Sequence, residues 1–151
     1  MKKAVFPGSF DPITIGHAAL VERAIPLFDE IVVAIGHNSA KKYMYTLEQR
    51  TAWIEAVFAH APNVSVESYQ GLTTDYCARI GANYLLRGLR SSADFEFERS
   101  IAQMNRAISE GLETVFLITD PEHAAINSTI IRDIVRNGGD ASAFVPKQVN
   151  L

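Results

Sequence analysis

Five times along this chain an apolar, strand-like run is followed by a segment with helical spacing, and this alternation restricts the fold more than any other feature. Lys3 to Phe6 reads as a short buried strand. From Gly16 onward, "GHAALVERAIPLF" repeats its apolar residues at the interval of a helix. "EIVVAIG", Glu30 to Gly36, is unbroken and rich in β-branched residues, as expected of a strand covered on both faces. After the polar loop "HNSAKKYMY", Thr46 opens the helix "TLEQRTAWIEAVFAH", and Gln49 completes a capping box. "NVSVESY", "NYLLRG" and "ETVFLIT" read as the remaining strands. Between and after them come the helices "TTDYCARIG", closing at Gly81, the long "ADFEFERSIAQMNRAISEG", ending at Gly111, and "NSTIIRDIVRNGG", with Asn or Ser at its cap. Strands alternating with helices imply βαβ units. Right-handed crossovers then give an α/β, doubly wound, five-stranded parallel sheet with helices on both faces. No linker or repeat interrupts it, so residues 1–151 are expected to form a single domain.

The bulk properties narrow the partners. The net charge is −3, whereas a protein neutralising nucleic-acid phosphates usually carries a basic excess. Nucleic acid is therefore not the expected ligand. Cys77 is the one cysteine, so no internal disulfide can form and a reducing compartment fits. The apolar start "MKKAVFPG" breaks at Pro7, too early for a signal peptide. No run approaches the ~20 apolar residues of a membrane span. A cytoplasmic protein is expected.

In a doubly wound sheet, ligands bind beyond the carboxyl ends of the strands. Those ends carry "PGSFDPITIGH", then Gly36, His37, Asn38, Lys41 and Lys42, then Gly71 to Thr73, then "RGLR", then "TDPEHAAINST". The rim thus gathers three His, two Lys, two Arg, several small hydroxyls and free helix N-termini. Such groups suit a polyanion: helix N-termini offer unpaired N–H groups, Arg a forked donor and Lys a point charge. The familiar alternatives are absent. There is no P-loop, no G-x-G-x-x-G after the first strand, and no zinc-type Cys/His spacing. Ser9 lacks the G-x-S-x-G context of a hydrolase nucleophile.

Thr14-x-Gly16-His17 resembles the T/H-x-G-H signature of the nucleotidyltransferase superfamily. "PGSFDPITIGH", "KKYMYTLEQR", "LLRGLRSSADFEFE", "MNR" and "INSTIIRDI" follow in order along nearly the whole chain, and together they resemble the bacterial phosphopantetheine adenylyltransferases. The resemblance implies a Rossmann-like nucleotidyltransferase fold. It also implies transfer of the adenylyl group of ATP to 4′-phosphopantetheine, giving dephospho-coenzyme A and pyrophosphate. Mg²⁺ as cofactor, carried by ATP, a homohexamer, and coenzyme A as feedback inhibitor are further implications.

The same resemblance implies the residue roles. His17, Lys41 and Arg90 would be catalytic. ATP would be bound by Ser9, Phe10, Gly16, His17, Gly88, Leu89, Arg90, Glu98, His123, Ile126, Asn127, Ser128 and Thr129. Phosphopantetheine would be bound by Ser9, Lys41, Leu72, Thr73 and Arg87. Lys42 rivals Lys41, because "AKKY" fixes the register loosely. Plain structural roles stand beside these: a solvated face for "DFEFER", simple capping for Ser128 and Thr129, a packing thiol for Cys77. Trp53 and Tyr76 are expected in the core or an interface. The positive end of the helix dipole disfavours a charged His17, although bound ATP would pull the other way.

Three departures from the family pattern stand out. His123-Ala124-Ala125 replaces an aromatic and a Ser-Phe pair, Thr73-Thr74 replaces more apolar residues, and the chain stops at "FVPKQVNL" without a further helix. The rival readings are another small-molecule nucleotidyltransferase, such as one acting on nicotinate mononucleotide, and a nucleotide-binding module without activity.

Overall fold

Alternating residues of the central strands feed two separate cores, which is why those strands read as continuous apolar runs. β1 (Lys3–Gly8) sends Ala4 and Phe6 to one side and Val5 to the other. β2 (Glu30–Gly36) splits Ile31, Val33 and Ile35 from Val32 and Ala34 in the same way. The computed structural model, which describes residues 1–151, adds β3 (Val64–Tyr69), β4 (Tyr84–Leu89) and β5 (Glu113–Ile118) in one parallel sheet of order β3-β2-β1-β4-β5. The larger core receives α1 (Ile15–Ala24), α2 (Leu47–Val57) and α5 (Ser128–Arg136). The smaller receives α3 (Thr73–Ile80) through Tyr76 and Cys77. Burial pushes the Cys77 thiol up to about 11, so it is an inert packing group. Trp53 is buried too, its indole N–H donating to Asn150. No helix is long and apolar enough to cross a membrane.

Element ends differ from the sequence reading where local chemistry decides. Pro26 ends α1 at Ala24 and starts a separate 3-10 turn, Ile25–Leu27, because it cannot donate within a helix. β1 runs on through Pro7 and Gly8, held opposite Ala34 and Ile35 of β2. The capping box at Thr46 and Gln49 is present, and Gly81 closes α3 in the left-handed conformation. α4 (Ser92–Ile108) buries only Glu98.

The chain winds from β1 to β3 on one side and resumes with β4 and β5 on the other, so direction switches between β1 and β4. These two strands pair only at Ala4–Tyr84 and Val5–Leu85. Beyond that they separate, helped by Pro7, which has no N–H for a ladder. A crevice opens at the carboxyl ends, where α/β sheets bind ligands.

Candidate active site

Local sequence sets the histidine. Thr14 caps α1: its hydroxyl accepts the His17 N–H at 3.1 Å, and its own N–H donates to His17 Nδ1 at 3.0 Å. With Nδ1 accepting, the proton of a neutral ring lies on Nε2. The ring packs edge-on against Phe6 and Phe10. Burial, then the charges of Arg87 and Arg90, lower its pKa from 6.5 to about 4. The helix dipole anticipated in the sequence acts in the same direction. Phe10 has φ of 47°, a conformation costly for a bulky residue, and its buried ring lies where a Gly8 side chain would be. Only the Phe10 backbone can therefore meet a ligand.

Around His17 lies a cavity of about 480 Å³. It brings together Ser9, Phe10, Gly16, His17, Lys41, Arg87, Gly88, Arg90, Glu98, His123, Ile126, Asn127, Ser128 and Thr129. Lys42 lines it too, so the structure admits both lysines. A second cavity, of about 310 Å³, adjoins it and shares Pro7, Gly8, Ser9, Arg87 and Glu98. Thr73 lines this one, its hydroxyl bonded to that of Tyr69 at 2.8 Å. Leu72 and Leu89 line neither: Leu72 is an exposed cap of α3, and the Leu89 carbonyl accepts from Thr119 in the sheet.

Arg87 and Glu98 form the junction between the two spaces. Arg87 donates Nε and Nη2 to the two Glu98 oxygens at 3.0 and 2.6 Å, and Nη1 to the Pro7 carbonyl at 2.9 Å. Glu98 thus orients an arginine while lining both cavities. Arg90 is held by Asp94, through its backbone N–H and Nε. At the far wall Asn127, not Ser128, caps α5, while Ser128 donates to the Pro12 carbonyl at 2.8 Å. The Ser128 and Thr129 N–H groups at the start of α5 have no intrahelical acceptor, and both residues line the cavity.

Sequence reasoning missed Arg132 and Arg136, which also line the cavity. The signal was present: they follow Ser128 at intervals of four, on one face of α5. Arg132 donates to the Asp11 carbonyl at 2.8 Å and to Thr129 at 3.3 Å. Asp11 itself was also missed. Its buried carboxylate accepts the N–H groups of Met44 and Tyr45, both at 2.9 Å, tying the lysine loop to the loop that follows β1. Asp11→Asn leaves one oxygen for two donors, so a loss of about 1.5–3 kcal/mol is expected. At roughly 2–4 °C per kcal/mol for a chain of this size, thermal unfolding should shift down by several degrees. An unchanged melting temperature would show that the tie contributes nothing.

In charge, the cavity wall sets Lys41, Lys42, Arg87, Arg90, Arg132 and Arg136 against Asp11, Asp94 and Glu98. A chain of net charge −3 therefore keeps a cationic excess in this crevice. The three carboxylates are each bonded to protein donors.

The comparisons agree with this geometry. The family model described as "Cytidylyltransferase-like" matches residues 5–134. A phosphopantetheine adenylyltransferase of Flavobacterium psychrophilum is 54% identical over 151 residues, covering 100% of this chain and 99% of that one. That of Limosilactobacillus reuteri is 45% identical over 150 residues, covering 99% and 87%. Among solved structures, the bifunctional NMN adenylyltransferase/ADP ribose pyrophosphatase of Francisella tularensis shares the fold at TM-score 0.73 and 17% identity, covering 95% of this chain and 44% of that one. A Vibrio parahaemolyticus protein described as a nicotinate-nucleotide adenylyltransferase does so at 0.69 and 22%, covering 98% and 96%. Full-length identity at this level and the crevice built around Thr14-x-Gly16-His17 lead to one assignment: the chain belongs to the phosphopantetheine adenylyltransferase family of cytidylyltransferase-like enzymes.

Proposed function

We infer that this chain, as one domain, catalyses its family's reaction in the two joined cavities. ATP occupies the larger one, with its triphosphate against α5, Arg90 and Arg132. 4′-Phosphopantetheine lies along the smaller one, with its phosphate at Arg87 and Ser9. The observation that carries this reading is the junction itself, a forked cation shared by both spaces beside His17. An acceptor phosphate oxygen attacks the α-phosphorus of ATP in line, a new P–O bond forms, and the bond to the β-phosphate oxygen breaks to release pyrophosphate. The acceptor is already largely ionised near neutral pH, with a second pKa of about 6 for a phosphate monoester, so no general base is needed. Catalysis is positioning and charge stabilisation. His17 donates Nε2–H to the α-phosphate, and Lys41, with Arg90, neutralises the reacting phosphates. Mg²⁺, when present on the nucleotide, supplies shielding of the triphosphate charge.

Incubating the enzyme with ATP and each candidate acceptor, and measuring pyrophosphate release, tests the reading. Release is expected with 4′-phosphopantetheine and not with nicotinate mononucleotide. The reverse pattern, or an adenylyl-enzyme formed from ATP alone, overturns it; nucleotide binding without release from any acceptor would mark a binding module. Coenzyme A carries the acceptor's pantetheine arm and is expected to compete for the smaller cavity. α4 leaves Phe95, Phe97, Ile101, Met104 and Ile108 exposed, a stripe that supports the homohexamer. Sedimentation of a monomer at micromolar concentration would remove that proposal. A cytoplasmic location completes the reading.

A further inference from the structure

Arg50 is the bulkiest fully buried side chain in the molecule, at 1% exposure. Burying a guanidinium is costly, and an apolar side chain of similar volume would seat α2 in the core at less cost. Its cost is not offset by full pairing either. Nε donates to the Tyr45 carbonyl at 3.1 Å and Nη1 to the Ser9 carbonyl at 2.8 Å, while Nη2 has no partner. The nearby Asp11 carboxylate is engaged with the Met44 and Tyr45 amides. What Arg50 does reach is both loops of the site. Its Cζ lies 4.2 Å from the centroid of the Tyr43 ring, and Lys41 Nζ lies 5.5 Å from the same centroid. Tyr43 is fixed in turn, because its hydroxyl accepts from the Asn38 N–H at 2.9 Å and its ring stacks on His37. Ser9 carbonyl, Arg50 guanidinium, Tyr43 ring and Lys41 ammonium are thus linked by successive contacts into one row of neighbours.

We propose that Arg50 is a positioning residue for adenylyl transfer, setting Lys41 against the Ser9 loop through the face of Tyr43. This rests on the reading that Lys41 serves the reaction. It also distinguishes Lys41 from Lys42, which is not in the row. Lysine cannot replace Arg50 here, because one ammonium cannot reach two carbonyls and stack on a ring together.

The test is a double-mutant cycle read in kcat. Arg50→Met and Arg50→Lys should each lower kcat by about tenfold to a hundredfold, the scale of a small misplacement of a reacting group. In a Lys41→Ala background the same changes should cost less than about threefold, because the group they position is gone. In a Lys42→Ala background the full loss should persist. A merely structural role would lower the melting temperature and cost the same factor in every background. Should the Arg50 variants fail to fold, Tyr43→Leu breaks the row at its next link and should show the same cancellation. Equal losses with and without Lys41, or unchanged kcat in Tyr43→Leu, overturn the proposal while leaving the function intact. Full turnover of Lys41→Ala overturns it together with the lysine assignment. A wild-type enzyme that releases no pyrophosphate from ATP and 4′-phosphopantetheine removes the functional reading itself.

Discussion

His17→Ala is expected to lower kcat by about a hundredfold to a thousandfold, the loss of roughly 2.7–4 kcal/mol typical of one preorganised donor. ATP affinity should stay within a few-fold of wild type. The asymmetry follows from where charge develops: the α-phosphate oxygen gains its charge during transfer, so the Nε2–H bond is strongest in the transition state. The capping box sharpens the expectation. Because the Thr14 N–H occupies Nδ1, the ring cannot turn to present that nitrogen without losing the cap. His17→Asn or His17→Gln keeps a donor but not this geometry, and should recover only part of the loss. Turnover near wild type in His17→Ala would reduce the Thr14–His17 motif to a helix cap.

The pH dependence carries the sign. With a pKa of about 4, His17 is neutral throughout the neutral range. Turnover should stay flat from about pH 6.5 to 8.5, around the unperturbed value of ~6.5, and an NMR titration of the ring should show no protonation until well below pH 6. The folded pKa lies below the unfolded one, so the unfolded chain takes up this proton first. The neutral ring's contribution to stability is complete above pH 6.5 and declines as pH falls from 6.5 toward 4. A fall in turnover between pH 6.5 and 8.5 that tracks His17 titration would make the imidazolium the active form.

The sheet was legible because short apolar runs, most continuous in the Val- and Ile-rich β2, alternate with helical spacing, and the rim was legible because strand ends in such sheets are where ligands bind. Five element positions and most of the cavity wall followed from those two facts. The tertiary couplings were not legible. Nothing in "TLEQR" distinguishes Arg50 from a solvated helical arginine until α2 packs against Ser9 and Tyr43. Glu98 sits in a charged stretch whose helical spacing is the same whether it faces water or Arg87. Asp11 looked like one turn-former among several, and its role as an acceptor for two distant amides depends on the loop returning 33 and 34 residues later. Arg132 was recoverable from its spacing with Ser128, but that requires knowing which face of α5 meets the crevice.

Arg87→Ala is expected to raise the apparent acceptor KM by roughly a hundredfold, with ATP KM changed no more than a few-fold. A charge-assisted phosphate contact accounts for about 1.5–3 kcal/mol, or one to two decades at ~1.4 kcal/mol each. The pairing with Glu98 adds to that. Glu98 is nearly enclosed, its side chain 11% exposed, and it loses both of its partners' N–H groups when Arg87 is removed. An unpaired carboxylate then faces the incoming phosphate, and leaving one member of a buried pair alone is often the larger part of such a loss. Adding Glu98→Gln to Arg87→Ala removes that charge and should recover about tenfold of the acceptor KM, although it restores no cation. Glu98→Gln alone should act the other way, raising acceptor KM by a few-fold, because one amide oxygen cannot hold both arms of the fork. The comparison of single and double variants under saturating ATP decides the matter. If the double variant binds acceptor no better than Arg87→Ala, Glu98 is not the opposing charge. If ATP KM rises as far as acceptor KM, Arg87 belongs to the nucleotide side of the junction.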